Sequence, residues 1–268
     1  MSQTLASVRQ QLARAGYQDA GGGLVQLEAD AAYLAGALRH TLHTRLRPDA
    51  EMLQAPDEIE HSALHRSGYL DAFPKQLIAA GSRTRYATPA ACLHLYPRLE
   101  GKRLSEDPLF SMIVARCGRH EGGHWRFPFR LCRFEMVEVV VVGSAATVAR
   151  AAARLESRLC RLLGRLGVTG TLVPAADPFF AGGPRAGRVF QLLHDAKHEY
   201  RAGVGRRTVA LASLNKHRDH FTARFGISAR SGGVAHSACL AVGLERLTAW
   251  CLLTWGADPA GWPEPLRP

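Results

Sequence analysis

The 268-residue sequence has no apolar run long enough to span a bilayer. Its most hydrophobic stretch, residues 136–142, is interrupted by Glu138. The N-terminus, MSQTLASVRQQLARAG, lacks the apolar core and small-residue cleavage site of a secretory leader. A membrane partner is therefore not expected, and a cytoplasmic location is. Cysteine is present but unpaired in pattern: Cys92, Cys117, Cys132, Cys160, Cys239 and Cys251 are widely spaced, with no C-x-x-C. That excludes a zinc-finger pattern, a thioredoxin-type redox site and a small disulfide scaffold. Lysine is scarce, four against thirty arginines, and no block of five like charges occurs, which excludes a disordered basic arm. There is no internal repeat, no low-complexity tract and no helix-turn-helix signature.

What remains is a globular composition. Hydrophobic residues make up 47% and charged residues 21%, enough apolar surface to build a packed core. The formal net charge of +11 suits a polyanion or an acidic protein partner, and equally suits arginines on solvated faces.

Residues 25–46 show apolar recurrence every three and four positions and predict a helix, whereas 47–60 read as a loop. SMIVARCGRHE (111–121) and FRLCRFEMVEVVVVG (129–143) flank GGHWRFP, which predicts an antiparallel hairpin with a long tip. Ser144 then stands as the N-cap of an alanine- and leucine-rich helix that Gly164 and Gly167 close. Its arginines, at 150, 154, 158, 161 and 165, form a solvated face or a docking surface. A short strand in GTLVPA, the DPFF segment at 177–180, the glycine-rich AGGPRAG and a helix around 190–200 follow. Strands in TVALASLN (208–215) and HSACLAV (236–242) precede a final amphipathic helix in GLERLTAWCLLTWG. Strands and helices mix without regular βαβ alternation, so the fold class is α+β with an antiparallel sheet.

Three groups of residues carry possible chemistry. On the first hairpin strand, Cys117, Arg119 and Glu121 share parity and hence one face. A guanidinium there forks onto phosphate oxygens, and a carboxylate two residues on can accept a base amine. On the return strand Phe134, Met136 and Glu138 share a face, and a carboxylate in so apolar a run must be paired or ligate a metal. Glu245 and Arg246 sit at a strand-to-helix junction, where glycine permits close approach and a helix N-terminus favours anions.

GRHE followed by FEMVE resembles motif 2 of class II aminoacyl-tRNA synthetases, and ACLAVGLERL resembles their motif 3. The segments SGYLDAF, TPAAC, RHE, FEMVEVVVVG, DPFF, SLNKHRDHF and AHSACLAVGLERL are more specifically similar to the zinc-dependent atypical seryl-tRNA synthetase branch. Within it, they look most like the truncated amino acid:[carrier protein] ligases, over about residues 67–256. The resemblance implies a class II synthetase-like antiparallel sheet flanked by helices, forming a single catalytic domain over 1–268. It also implies a helical segment over about 1–60, no tRNA-binding domain and a homodimer.

By the same resemblance Cys92, Glu138 and Cys239 hold Zn²⁺, with a fourth position open to the substrate's α-amino group. These residues are 46 and 101 positions apart, so spacing alone does not find them. Cys117 is a rival ligand, and buried thiols with a salt-bridged Glu138 are the alternative. For ATP, the resemblance places Arg119 on the α-phosphate, Glu121 on the adenine amine and Arg246 on the γ-phosphate, with Mg²⁺ assisting. His124, Arg126 and Arg130 are phosphate contacts or surface charges, and Phe127 or Phe129 stacks on adenine or belongs to the core. Two departures stand out. VALASLN lacks the carboxylate that many class II enzymes use for Mg²⁺, which leaves Asn215, His217 and Asp219 as substrate or metal contacts, or as turn chemistry. Ala241 stands where glycine is frequent.

The implied activity is ATP-dependent activation of a small amino acid, glycine- or alanine-like, as aminoacyl-adenylate. Transfer to the phosphopantetheine thiol of an acyl or peptidyl carrier protein follows, with the basic helix 145–165 and segment 182–206 as docking surfaces. Transfer to tRNA or a small-molecule amine, and a non-catalytic regulatory paralogue, are the alternatives. The retained Arg119, Glu121 and Arg246 speak against the last.

Overall fold

In the computed structural model, which describes residues 5–82, 84–175, 196–205 and 207–268, the N-terminal part is more than helical. Helix α1 (Leu5–Arg14) leads into a hairpin of β1 (Tyr17–Gly21) and β2 (Leu24–Leu27), and only then into α2 (Ala29–Leu46). Gly16 is why the chain turns there: its φ is +83°, and a Cβ would sit 2.3 Å from the Glu28 carbonyl oxygen. The expected loop 47–60 instead supplies β3 (Glu51–Gln54) and β4 (Glu58–Glu60). Short helices α3 (His61–Ser67) and α4 (Tyr69–Ala72), strand β5 (Arg85–Ala87) and helix α5 (Leu95–Arg98) precede the long hairpin β6 (Leu109–Gly118) and β7 (Arg133–Gly143).

After the hairpin come α6 (Ala145–Arg165), β8 (Gly170–Pro174), β9 (Lys197–Val204) and β10 (Arg207–Arg218). Helix α7 (His220–Arg224), β11 (His236–Gly243) and α8 (Leu244–Trp255) complete the described elements used below. DPFF, AGGPRAG, most of 182–206 and the first part of the helix expected at 190–200 lie outside the described residues. The described remainder of that helix, 197–200, is strand: Lys, Glu and Arg alternate there with buried Tyr200 and Ala202, a period of two rather than 3.6.

Among the described residues the main sheet has seven strands in the order β3-β6-β7-β11-β10-β9-β8. All pairings are antiparallel except β3 with β6. The parallel edge follows from the connection: β4, β5 and three short helices intervene, the long crossover a parallel pair requires. The sheet is therefore mixed at one edge and antiparallel through its centre.

Strand β7 is covered on both faces, which accounts for its unbroken valines. Val137, Val139 and Val141 face a core with Leu34, Leu38, Leu155, Leu159 and Leu247 from α2, α6 and α8. Val140 and Val142 face a second core with Ile113, Cys117, Tyr96, Phe221 and Phe225. Each such buried aliphatic contributes on the order of 1.5–3 kcal/mol before chain entropy is counted. Helix α6 buries Val148, Ala151, Ala152, Leu155, Leu159, Leu162 and Leu163 on one stripe. Arg150, Arg154, Arg161 and Arg165 lie exposed on the other, and Arg158 donates to the Leu46 carbonyl at 2.9 Å. Ser144 occupies the N-cap position, but its Oγ meets the Thr147 hydroxyl at 2.8 Å rather than a backbone N–H. No helix among the described residues is long and apolar enough to cross a membrane.

Candidate functional site

The registers of β7, β11, β10 and β9 lay two adjacent rows of side chains across the second face of the sheet. One row runs Glu138, Ala241, Ser213, Glu199; the next runs Val140, Cys239, Asn215, Lys197. Glu138 and Cys239 are thus diagonal neighbours. Cys92 reaches them from outside the sheet, on a single 3₁₀ turn (Ala91–His94) that enters α5. Thr88 pins the start of that turn, bonding the Pro56 carbonyl at 3.1 Å and His94 Nε2 at 2.9 Å.

Glu138 is 3% exposed. Its two carboxylate oxygens accept hydrogen bonds from the backbone N–H groups of Ala91 and Cys92, each at 3.2 Å. The carboxylate therefore caps the turn that presents Cys92. Burial, with the nearby Cys239, pushes its carboxyl up to about 8. Ligand atoms of Cys92, His217 and Cys239 all lie within 4.8 Å of one another, and all three residues are buried. The Cys92 thiol donates to Cys239, holding Cys239 below and Cys92 above the ordinary thiol range; His217 and Asn215 reinforce the Cys239 side. Two thiols and an imidazole with a carboxylate alongside are a donor set that fits zinc and disfavours the hard cations. Cys117 stands outside this group: it is fully buried, and burial pushes its thiol up. Cys251 is packed in the first core, while Cys132 and Cys160 are half-buried.

His217 and Asn215 converge on the sulfur of Cys239, His217 Nε2 at 3.5 Å and Asn215 Nδ2 at 3.5 Å. Asp219 does not join them; it is exposed at the N-cap position of α7.

The alternation expected through Cys117, Arg119 and Glu121 ends at Gly118, where β6 stops. Beyond the strand end, Glu121 enters a turn with φ +50°, followed by Gly122 and Gly123 at +64° and +73°, which takes its side chain out of the strand's alternation. Arg119 is half-buried, donates to the Pro89 carbonyl at 2.7 Å and lies 5.4 Å from the Phe134 ring centroid. Arg246, in the first turn of α8, donates from Nε to the Phe129 carbonyl and from Nη1 to the Ala210 carbonyl, both at 2.8 Å. Burial, and then the neighbouring Arg119, hold Arg246 below the usual arginine value. Two close guanidiniums, each anchored by backbone carbonyls, concentrate positive charge where an anion can bind.

Glu121 is paired with Arg130, whose Nε stands at 3.1 Å. Phe127 packs edge-on to Tyr17 at 5.7 Å, and Phe129 lies against the first core. His124 and Arg126 are exposed. Glu245 is structural: both its oxygens accept the Glu135 N–H, at 3.0 and 2.7 Å, tying α8 to β7.

Sequence reasoning missed Lys197, Glu199 and Arg201. Glu199 bridges Lys197 at 3.2 Å and Arg201 at 2.7 Å, and Glu199 and Arg201 both act on the charge of Arg246. Glu199 also stands opposite Ser213, so the carboxylate absent from β10 is present on the strand beside it. The signal was the charge alternation in KHEYR, obscured by reading that stretch as helix.

The amino acid--[acyl-carrier-protein] ligase 2 of Bradyrhizobium diazoefficiens is 32% identical over 259 residues, spanning 82% of this chain and 74% of the ligase. The structure of M. kandleri SerRS in complex with A. aeolicus tRNASec superposes with a TM-score of 0.84 at 21% identity, over 97% of this chain and 59% of that one. Pyrococcus horikoshii seryl-tRNA synthetase complexed with ATP gives 0.79 at 17% identity, over 97% and 61%. The chain thus spans about three fifths of either synthetase, and at these identities the likeness speaks for the fold. No family model matches the chain.

Proposed function

The chain belongs to the family of amino acid--[acyl-carrier-protein] ligases, and from that membership we propose that it activates a small α-amino acid with ATP and transfers it to a carrier protein. In the first half-reaction a carboxylate oxygen of the amino acid attacks the α-phosphorus of ATP. The bond to the bridging oxygen breaks, and pyrophosphate leaves. In the second, the phosphopantetheine thiolate attacks the adenylate's carbonyl carbon and AMP departs. No protein nucleophile enters either step, so catalysis is positioning plus charge stabilisation.

The observation that carries this reading is the pair of adjoining features on one sheet face: a carbonyl-anchored arginine pair, Arg119 and Arg246, beside the Cys92–Glu138–Cys239 cluster. Arg119 holds the α-phosphate and Arg246 the γ-phosphate. Glu121 accepts the adenine amine, with Arg130 orienting it, and Phe129 flanks the base. Mg²⁺ would arrive with the nucleotide, and Glu199 is the carboxylate this face offers it. Zn²⁺ held by Cys92, Glu138 and Cys239 would supply a Lewis acid that prefers an α-amine to an α-hydroxyl. The net charge of +11 suits an acidic carrier protein, and the working assembly is a homodimer.

The test is ATP–pyrophosphate exchange with each amino acid in turn, with and without a zinc chelator. Exchange driven by one or two small amino acids, abolished by chelation and restored by zinc, is the expected result. Intact-mass analysis of a phosphopantetheinylated carrier protein then reads the transfer. Exchange with loading of tRNA, but of no carrier protein, would move the acceptor assignment. No exchange with any amino acid in zinc-loaded protein would sink the adenylation reading.

A further inference from the structure

The loop that joins β6 to β7 is held by the N-terminal hairpin. The turn between β1 and β2 is Gly22-Gly23, with φ of +58° and +75°, the two positive values a tight hairpin turn needs. Gly23 has a second task. Its carbonyl accepts the Cys132 N–H at 2.7 Å, and the Cys132 carbonyl accepts the Arg119 N–H at 2.9 Å. The hairpin is thus pinned to the base of the loop, with only Cys132 between it and Arg119. Trp125 closes over the same glycine: a Cβ on Gly23 would stand 2.5 Å from the indole Cγ and 2.9 Å from the Cys132 nitrogen. The indole also meets the His120 ring edge-on, at 5.8 Å between centroids. Its Nε1 is buried with no hydrogen-bond partner among the described residues, so the ring acts by contact and not by donation. Further along the loop, the Tyr17 hydroxyl lies 3.5 Å from the Pro128 carbonyl, and the Arg9 guanidinium lies 5.8 Å from the Phe127 ring centroid.

The ATP reading places Arg119 at the start of this loop and Glu121 and Arg130 within it. The geometry points to the β1–β2 hairpin as the positioning element of the nucleotide loop, acting through the contact of Gly23 with Cys132 and Trp125. This inference rests on the ATP reading above. Gly23 and Trp125 touch no substrate in it; they are positioning residues that keep the loop where it binds. A loop in that place only about a tenth of the time raises the apparent Kd for ATP about tenfold. Gly22 separates the two demands on glycine. Its φ is positive too, but a Cβ there meets nothing within 4 Å. Gly22→Ala and Gly23→Ala therefore both strain the turn, and only Gly23→Ala pushes on the loop.

The experiment is calorimetric titration of the full chain with MgATP, without amino acid, together with hydrogen exchange of the peptides covering 119–132. Gly23→Ala is expected to weaken MgATP binding about tenfold and to speed exchange in the loop. Gly22→Ala should leave both unchanged. On the loop side, Trp125→Ala should reproduce the loss and Trp125→Phe, which keeps a ring, should largely restore binding. If Gly23→Ala does not fold, the two Trp125 variants decide. Wild-type affinity in Gly23→Ala and Trp125→Ala would overturn the hairpin's role while leaving the nucleotide site in place. An equal loss in Gly22→Ala would also overturn it, because turn strain and not the contact would then be the cause. Wild-type protein that binds no MgATP would overturn the ATP reading and this inference together.

Discussion

Glu138 Oε2 accepts the backbone N–H of Cys92 at 3.2 Å, so a carboxylate in the middle of the sheet positions a thiol that lies 46 residues earlier in the chain. With Ala91 bonded to the other oxygen, the 3₁₀ turn has no freedom to carry Cys92 away from Cys239. Glu138→Gln keeps one acceptor and sets an amide N–H against a backbone N–H. A buried donor left without a partner costs about 1–3 kcal/mol. The variant should melt several degrees lower, at about 2–4 °C per kcal/mol for a chain of this size, and should carry less zinc. Calorimetry and metal analysis of the same preparation check both. An unchanged melting temperature would show that the cap is dispensable.

Cys239→Ser should remove tightly bound zinc and with it pyrophosphate exchange, because the replacement weakens a donor on which Cys92, Asn215 and His217 all converge. Cys251→Ala is the matched control. Its thiol is equally buried but lies in the first core, among Leu247 and Trp250. It should cost stability through a small cavity and leave metal content alone. Full exchange activity in a metal-free Cys239→Ser protein would refute the zinc assignment.

The strands that form the site were readable because each announces itself locally. EMVEVVVVG is β-branched and ends in glycine, and HSACLAVG leads directly into a helix with a first-turn arginine. Glu138 stood out as a charge in an apolar run. What a local pattern cannot carry is the register. Cys239 meets Asn215 on one side and lies diagonal to Glu138 on the other only because three strands align as they do. Glu121 was misplaced because β6 already ends at Gly118 and Glu121 itself, at φ +50°, lies in the glycine-rich turn that follows. The Lys197–Glu199–Arg201 row was lost because its alternation is short and was assigned a helical period. The parallel strand β3 gives no signal of its own, being four residues with one partly buried leucine.

Glu245 gives the fold a pH dependence of defined sign. Burial raises its carboxyl from the ordinary 4.5 to about 7, with the Glu135 carboxylate adding to the rise. A folded value above the unfolded one means that the folded state binds the extra proton. The corresponding stability is therefore complete below about pH 4.5 and is lost as pH rises through about 7. The shift corresponds to something on the order of 3 kcal/mol. Glu245→Gln stays neutral and keeps a carbonyl acceptor for the Glu135 N–H. Urea unfolding of both proteins from pH 5 to 8 should show the variant gaining on the wild type as pH increases. A difference that stays flat across that range would mean Glu245 does not titrate between the two states.

The arginine pair makes a sharper demand on kinetics. Arg119 is tethered to the Pro89 carbonyl and Arg246 to the Phe129 and Ala210 carbonyls, which hold both guanidiniums in place before phosphate arrives. Glu121 differs: it is paired with Arg130 and must be shared when a base amine binds. Arg119→Ala and Arg246→Ala should therefore each lower kcat for exchange by about 10²–10³, the usual loss when a preorganised charge donor is removed. Glu121→Gln should chiefly raise KM for ATP, since it affects recognition of the base rather than the reacting phosphorus. Arg246 also links the Phe129 and Ala210 carbonyls, so Arg246→Lys is the informative companion. It retains the charge but cannot fork to both, and a loss of kcat without a fall in melting temperature would place the deficit at the phosphate. If all three alanine and glutamine variants change KM alone, the two arginines bind ATP without favouring the transition state, and the catalytic role assigned to them is wrong.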